Sequence, residues 1–491
     1  VPSSPATPAY PSAAYPPSYA PGPPPPPGAP RRARQDRAPA ILRVVAALVV
    51  LGAIAGAAYV VLRGDNRYPK DWDPRVADIV AFVASARGHE FSHPVKVNFL
   101  SAAEYTKAST GGDDTGGSDA GSEDSTAEFR AIGLLTGNLD LTKATKELTD
   151  SGSLAFYSPD TKEVYVRGTD LTPGVRVTLA HELTHVLQDQ VFDLNKLADR
   201  ADTFRPLAEG DATRIEDEYV EKKLTDAERK AYNEESQAGS DKASSALEGK
   251  VPEILQAMFQ APYIFGPQVV NLAAAEGGNA SVDKLFENPP SERAVFDPVN
   301  VDPTTNPFSD DQELTVAVPD GTKSMNESTF EPYLWYLMLS TRVDPHTALT
   351  AADGVVAAGY HSYKQGDRVC AAIQATSADA ASASTLTSAL RDWASASAGH
   401  DAEVEAKGDT GVLLTTCDPG ASAEAGNLEA NVLVLPAVRA QLFTEAIQAK
   451  WPADSARCIA NKLTAASSVD ELIGDNFPQA KFDAARDACP R

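Results

Sequence analysis

Seven histidines occur in the 491 residues, and two of them stand four positions apart around a glutamate in "TLAHELTHVLQDQ", residues 178–190. On a helix turning about 100° per residue, His181 and His185 come to lie about 40° apart on one face. Both imidazoles then reach one ion, as a zinc site requires. Glu182 follows the first histidine and turns toward the same cleft. A carboxylate in that place takes a proton from a zinc-activated water and passes it to a leaving amine, which is the chemistry of peptide-bond hydrolysis by an HExxH helix. Leu179, Leu183, Leu187 and Val191 occupy the other side, so the helix is expected to bury an apolar stripe and keep its polar face for the ion.

Two imidazoles leave a catalytic zinc one protein ligand short, because such sites hold three protein ligands and one open position. No further histidine follows at the spacing of an extended HExxHxxGxxH pattern. Glu209, in "LAEGDAT", lies 24 residues after His185, far enough for the chain to reverse and lay a second helix beside the first. Gly210 next to it would let helices approach closely. Glu216, seven residues on and nearly on the same helical face, is the rival for the third position or a partner that orients a histidine. Asp211 and Asp189 are further candidates for fixing a histidine tautomer from behind. His89, His93, His346, His361 and His400 sit in no ligand spacing, although His346 or His361 would serve an oxyanion if the fold brought one to the cleft.

The elements that must carry these residues are legible around them. "GSLAFYSPDTKEVYVRG" reads as two short strands joined by a turn, the second being Glu163 to Arg167. Thr172 and Pro173 open the metal-motif helix, which runs to about Gln190, and a second helix begins near Phe204. Upstream, "DPRVADIVAFVASARG" predicts an amphipathic helix and "PVKVNFL" a strand. Residues 109–126, rich in Gly, Ser, Asp and Glu, predict a flexible acidic loop without the spacing of a calcium site. Downstream, "VPEILQAMFQAPYIFGPQVVNLAAAEGG" suggests helices ending at a Gly pair, "ENPPSERAVFDP" an ordered Pro-rich loop, and "EPYLWYLMLSTRV" a buried helix. "DRVCAAIQAT", "ASTLTSALRDWASAS" and "AEVEAKGDTGVLLTTC" read as strand, helix and hairpin, a small sheet that closes the domain.

The chain as a whole divides into four parts. Residues 1–43 are a Pro-rich tail that can bury no core, expected to be disordered and cytoplasmic. Residues 44–62, "VVAALVVLGAIAGAAYVVL", are apolar over the length of a single membrane-spanning helix and longer than a usual signal-peptide core. Arg31, Arg32, Arg34, Arg37 and Arg43 precede them, which keeps the tail in the cytoplasm and places the rest outside the cell membrane. Residues 68–420 form the domain that holds the metal motif, and residues 429–491 a C-terminal helical module. The net charge is −25 and the tail is basic, so the outer part is strongly acidic, which argues against nucleic acid as a partner. All four cysteines fall in that outer part, where disulfides form. Cys370 with Cys417 and Cys458 with Cys489 is the favoured pairing, since each pair brackets a compact stretch.

"AHELTHVLQDQ" followed by "LAEGDAT", "APYIFGPQVV" and "NPPSERAVFDP" resembles the zinc metallopeptidase-like proteins common in actinobacteria, often anchored by one N-terminal membrane helix, over roughly residues 68–417. The resemblance implies an α+β, zincin-like fold of the gluzincin type, with His181, His185 and Glu209 as zinc ligands and Glu182 as general base. The "EGDAT" stretch strengthens Glu209 over Glu216. Two features depart from that group: Phe296 stands where a histidine is usual, and "ADGVVAAGYHSY" replaces a Gly/Trp-rich stretch. Thr213 stands four residues after Glu209, so the ExxxD support of thermolysin-like proteins is missing and must come from elsewhere. The C-terminal module, with "SARCIANKL" and "DAARDACP", is similar to small disulfide-closed helical units of exported actinobacterial proteins and is read as a binding or spacing module.

These features together predict a membrane-anchored zinc endopeptidase acting on a peptide or protein substrate. The alternative is a metallopeptidase-like scaffold of the cell envelope that has lost catalysis. Neither the substrate beyond its class nor the oligomeric state is written in these residues.

Overall fold

The computed structural model describes residues 68–110, 119–150, 153–200, 203–306, 314–396, 401–423, 428, 431–473 and 477–490. The expected tail 1–43 and apolar span 44–62 lie outside the described residues, among which no helix is long and apolar enough to cross a membrane.

The N-terminal half is a three-stranded sheet backed by helices. Helix α1 (Ala77–Arg87) leads to β1 (Lys96–Leu100), α2 (Ala102–Thr110), α3 (Asp119–Ala131) and α4 (Leu141–Asp150), then to β2 (Ala155–Ser158) and β3 (Glu163–Arg167). The strand order is β1-β3-β2, with β1 parallel and β2 antiparallel to β3. The hairpin expected from the sequence is therefore present, with β2 on an edge. Of the acidic loop expected at 109–126, residues 111–118 lie outside the described residues, and the two ends are helical, 109–110 closing α2. Residues 119–126 belong to α3, whose last two turns bury Phe129 and end at buried Ala131 and Ile132, so apolar residues beyond the acidic stretch pull it into a helix.

The metal-motif helix, α5 (Pro173–Phe192), starts as its sequence dictates. The Thr172 hydroxyl accepts the Val175 N–H, and Pro173 occupies the first turn, where an N–H has no helical partner in any case. The helix ends at Asp193, whose left-handed backbone (φ 58°) breaks it. Leu179, Leu183 and Leu187 are buried in a core that also holds Ile79, Val83, Val164, Val166 and Ile215. Val191 is corrected: it is 37 % exposed, because it lies in the last turn beyond the reach of that core.

Short helix α6 (Leu194–Arg200) reverses the chain into α7 (Phe204–Lys223), followed by α8 (Asp226–Leu247). Next comes α9 (Glu253–Gly277), one continuous helix in place of the several expected, carrying Pro262 and Pro267 inside it. Its apolar residues Ile254, Met258, Phe265 and Val269 lie in the larger core, whose burial outweighs the hydrogen bonds that the two prolines delete. Helices α7 and α9 cross at glycines. A Cβ on Gly210 would run into the Gly266 backbone, and one on Gly266 into the Pro206 carbonyl. The close approach expected at Gly210 is thus made to α9 and not to α5.

After α10 (Asn279–Glu287), the Pro-rich segment contains a short helix, α11 (Glu292–Phe296), capped by Ser291. The larger core continues through α12 (Pro332–Ser340), α13 (Pro345–Asp353) and α14 (Ala380–Ser395). A five-stranded antiparallel sheet covers it, ordered β4 (Lys323–Thr329), β5 (Val355–Gln365), β6 (Arg368–Ser377), β8 (Gly411–Cys417), β7 (Glu403–Lys407). Strand β4 carries no apolar alternation and is not foreseen in the sequence. Cys370 and Cys417 are direct register partners on β6 and β8, and they are bonded to each other.

The chain closes with α15 (Val434–Gln448), α16 (Ala453–Ala466), α17 (Val469–Ile473) and α18 (Gln479–Asp487), with Cys458 bonded to Cys489. Both cysteine pairs are those expected. These helices are packed onto the rest. Leu433 and Leu435 enter the larger core, and buried Arg439 pairs with Asp353 at 2.5 Å and Asp297 at 3.2 Å.

Candidate metal centre

Helix α7 runs from one core to the other: Leu207 is buried in the larger, Ile215 and Tyr219 in the smaller. Glu209 lies at that junction, 2 % exposed, and faces the two histidines of α5. One of its oxygens, Oε2, stands 3.2 Å from His181 Nε2 and 3.3 Å from His185 Nε2. The three side chains form a cluster whose ligand atoms all fall within 4.8 Å of one another. Ligands held about 2.0–2.1 Å from a tetrahedral zinc stand about 3.3–3.4 Å apart, so the two histidine–Glu209 spacings match such a site, and two imidazole nitrogens with a carboxylate oxygen are a donor set that could hold a metal ion.

The back of each ring is also occupied. His181 Nδ1 is 2.9 Å from Glu216 Oε2, and His185 Nδ1 is 2.9 Å from Gln188 Oε1. Glu216 therefore meets His181 on the side away from Glu209, the place of an orienting partner, and is not in the ligand cluster. Tyr232 donates its hydroxyl to the other Glu216 oxygen at 3.3 Å. Asp211 touches neither histidine. It accepts from Arg87 at 2.7 Å, from Arg214 at 3.0 Å and from the Gln188 amide at 3.1 Å, so it reaches His185 only through Gln188.

Asp189 is corrected as an orienting residue. It accepts hydrogen bonds from the Tyr157 hydroxyl, Lys162 Nζ and the Leu194 N–H, so its carboxylate is taken up by β2, the turn after it and the start of α6. His346 and His361 are likewise corrected as oxyanion candidates. His346 contacts the Thr464 and Ser467 carbonyls, and His361 contacts Ser324 and the Val316 carbonyl on the far sheet. His89 pairs with Asp283 and His93 stacks on Tyr68, while His400 lies outside the described residues. Phe296 packs against Phe265 and Tyr336 inside the larger core, so it lines no part of the cleft.

Glu182 is 3 % exposed and accepts the backbone N–H of Tyr157 at 2.8 Å. Burial pushes its carboxyl up to about 7, against the opposing pull of the two histidines and the Tyr157 N–H, with Glu209 adding to the rise. A carboxylate poised there exchanges a proton readily near neutrality. Burial works the same way on Glu209, yet the hydrogen bonds and charges of His181 and His185 hold it well below the ordinary carboxylate range. Burial would lower His181, but the flanking Glu209 and Glu216 carboxylates, with Glu182, keep it well above the ordinary imidazole value.

The cleft over these groups is lined by Tyr157, Pro159, Glu182, His185, Leu194, Phe204, Arg205, Ala208 and Glu209. Arg205 sits over the Phe259 and Tyr263 rings, with Nε 3.7 Å from Glu209 Oε1. Tyr157, Gln188, Arg205 and Tyr263 are the site neighbours that the sequence reading missed. Gln188 carried a signal, since three residues past His185 it falls on the same helical face. The others come from distant segments and carried none.

Comparison with models of known protein families, with curated proteins and with solved structures gives no match to the chain. The fold and the site thus define a mixed α+β protein with two sheets, two disulfides and a cluster of two histidines and a glutamate able to hold a metal ion.

Proposed function

We propose that the chain is a zinc-dependent endopeptidase with a zincin-like catalytic domain, held at the outer face of the cell membrane by residues 44–62. One observation carries the reading: His181, His185 and Glu209 converge on one point while Glu182, which the ligand set does not use, opens onto the same cleft. A purely structural zinc site is closed by four protein ligands and has no need of a neighbouring base.

Zinc, when bound by these three residues, supplies Lewis acidity toward a water and a peptide carbonyl. The chain's own residues do the rest. Glu182, oriented by the Tyr157 N–H, takes the proton of the attacking water and delivers it to the departing amine nitrogen. The walls of Leu194, Phe204 and Ala208 exclude bulk water and strengthen the electrostatics inside. Arg205 brings a positive charge to the rim of the same cleft.

The test is the purified chain with a mixed peptide library, with and without a chelator. Cleavage that stops on chelation and returns with zinc supports the reading. No cleavage in either condition favours a scaffold role for the same fold.

A further inference from the structure

We propose that Gln188 is the positioning residue that holds His185 in its metal-binding tautomer, and that buried Asp211 and Arg87 fix Gln188 in turn. The inference rests on the zinc reading above and goes beyond it by assigning how the second histidine is oriented.

The argument starts from the amide. Gln188 is 1 % exposed, so each of its polar groups needs a partner within the protein. Its Nε2 donates to the Ala208 carbonyl at 3.0 Å and to Asp211 Oδ2 at 3.1 Å. Both of those partners only accept. Turning the amide over would set its oxygen against a carbonyl and a carboxylate at once, so the partners dictate that Oε1 faces His185. His185 Nδ1, 2.9 Å from that oxygen, must then carry the proton, and Nε2 is left with its lone pair on the Glu209 side.

The chain of contacts does not end at Asp211. Its carboxylate, fully buried, is paired with the Arg87 guanidinium, itself 1 % exposed, and with Arg214. Arg87 comes from the last turn of α1 and also meets Asp283 of α10 at 2.6 Å. Residues of α1, α5, α7 and α10 are thus linked in one chain of contacts that ends at this amide. The thermolysin-like support lost at Thr213 is replaced by two unlike partners, a carboxylate behind His181 and a neutral amide behind His185.

The experiment uses the full-length chain, stripped of metal and titrated with zinc against a chromophoric chelator. Gln188→Met keeps the length of the side chain and removes all three hydrogen bonds. Zinc affinity is expected to fall about 10- to 100-fold, the usual loss when such a partner is removed. Asp211→Asn, which still offers an oxygen to Gln188, is expected to lose less. A merely structural role would lower the melting temperature of Gln188→Met and leave the zinc affinity of its folded fraction at the wild-type value, and that result overturns the inference. Histidine-selective ¹⁵N spectra of the zinc-loaded wild type give a test that needs no folded variant: His185 is expected to show a protonated Nδ1 and a metal-bound Nε2. Metal bound through Nδ1 overturns the inference too. If the wild type takes up no zinc in the same titration, the underlying zinc reading fails, whereas normal uptake by Gln188→Met sinks only the role of Gln188.

Discussion

The backbone N–H of Tyr157 donates to the Glu182 carboxylate over 2.8 Å, tying the edge strand β2 to the middle of α5. The bond leaves Glu182 facing the cleft in a defined orientation although it belongs to no ligand set. Glu182→Gln retains an oxygen for that N–H while removing the base. Peptide cleavage is expected to fall at least about 100-fold, with zinc content unchanged, as read by a cleavage assay beside metal analysis. Undiminished cleavage would remove Glu182 from the mechanism.

Glu209 and Glu216 make different contacts and should fail differently. Glu209→Ala removes the carboxylate of the proposed ligand set and is expected to leave the dialysed protein without zinc. Glu216→Gln still accepts from His181 Nδ1 but without charge, so a weakening within about 10- to 100-fold is expected. Equal zinc in Glu209→Ala and wild type would return the third ligand to another carboxylate.

His181 in the metal-free protein lies between two carboxylates that keep it protonated well above the ordinary imidazole value. Its raised value stabilises the metal-free fold fully below the unfolded value of about 6.5, and that contribution is lost as pH rises through the folded value. On the proposed reading zinc displaces this proton, so its affinity is expected to change in the opposite sense and rise with pH. Melting temperatures in chelator across pH, and proton release on zinc addition followed with an indicator dye, check the two signs. Zinc uptake without proton release would contradict the charged His181.

At Gly210, a methyl group meets the Gly266 backbone, which cannot step aside without moving α9. Gly210→Ala is expected to cost about 1–3 kcal/mol and to weaken zinc binding, since the neighbouring Glu209 shifts with the helix. Thermal unfolding and zinc titration of the variant test both parts. A variant as stable as wild type would mean that the crossing is looser than described.

Asp189→Asn serves as the contrast. Asp189 holds Tyr157, Lys162 and the start of α6 but no histidine, so the variant should lose stability and keep its zinc affinity. A loss of affinity comparable to that of Glu216→Gln would restore Asp189 to the site.

What the sequence by itself determined is local. Thr172 and Pro173 start α5, the leucines set the side that enters the smaller core, and the four-residue spacing sets His181 beside His185, because capping and helical periodicity act within a few residues. Individual strands and helices, and both cysteine pairs, were legible from local patterns that delimit them, while the α+β class rested on the resemblance. The acidic stretch misled, since composition alone does not reveal that Phe129 and Ile132 bury the end of its helix. Val191 misled because a periodic stripe continues past the point where the core stops. Only the tertiary structure shows which of Glu209 and Glu216 lies against both histidines. Both sit on α7, and the choice depends on how far that helix slides along α5. The Gly210–Gly266 crossing with α9 sets that position, through contacts between residues more than fifty positions apart that no short pattern can encode.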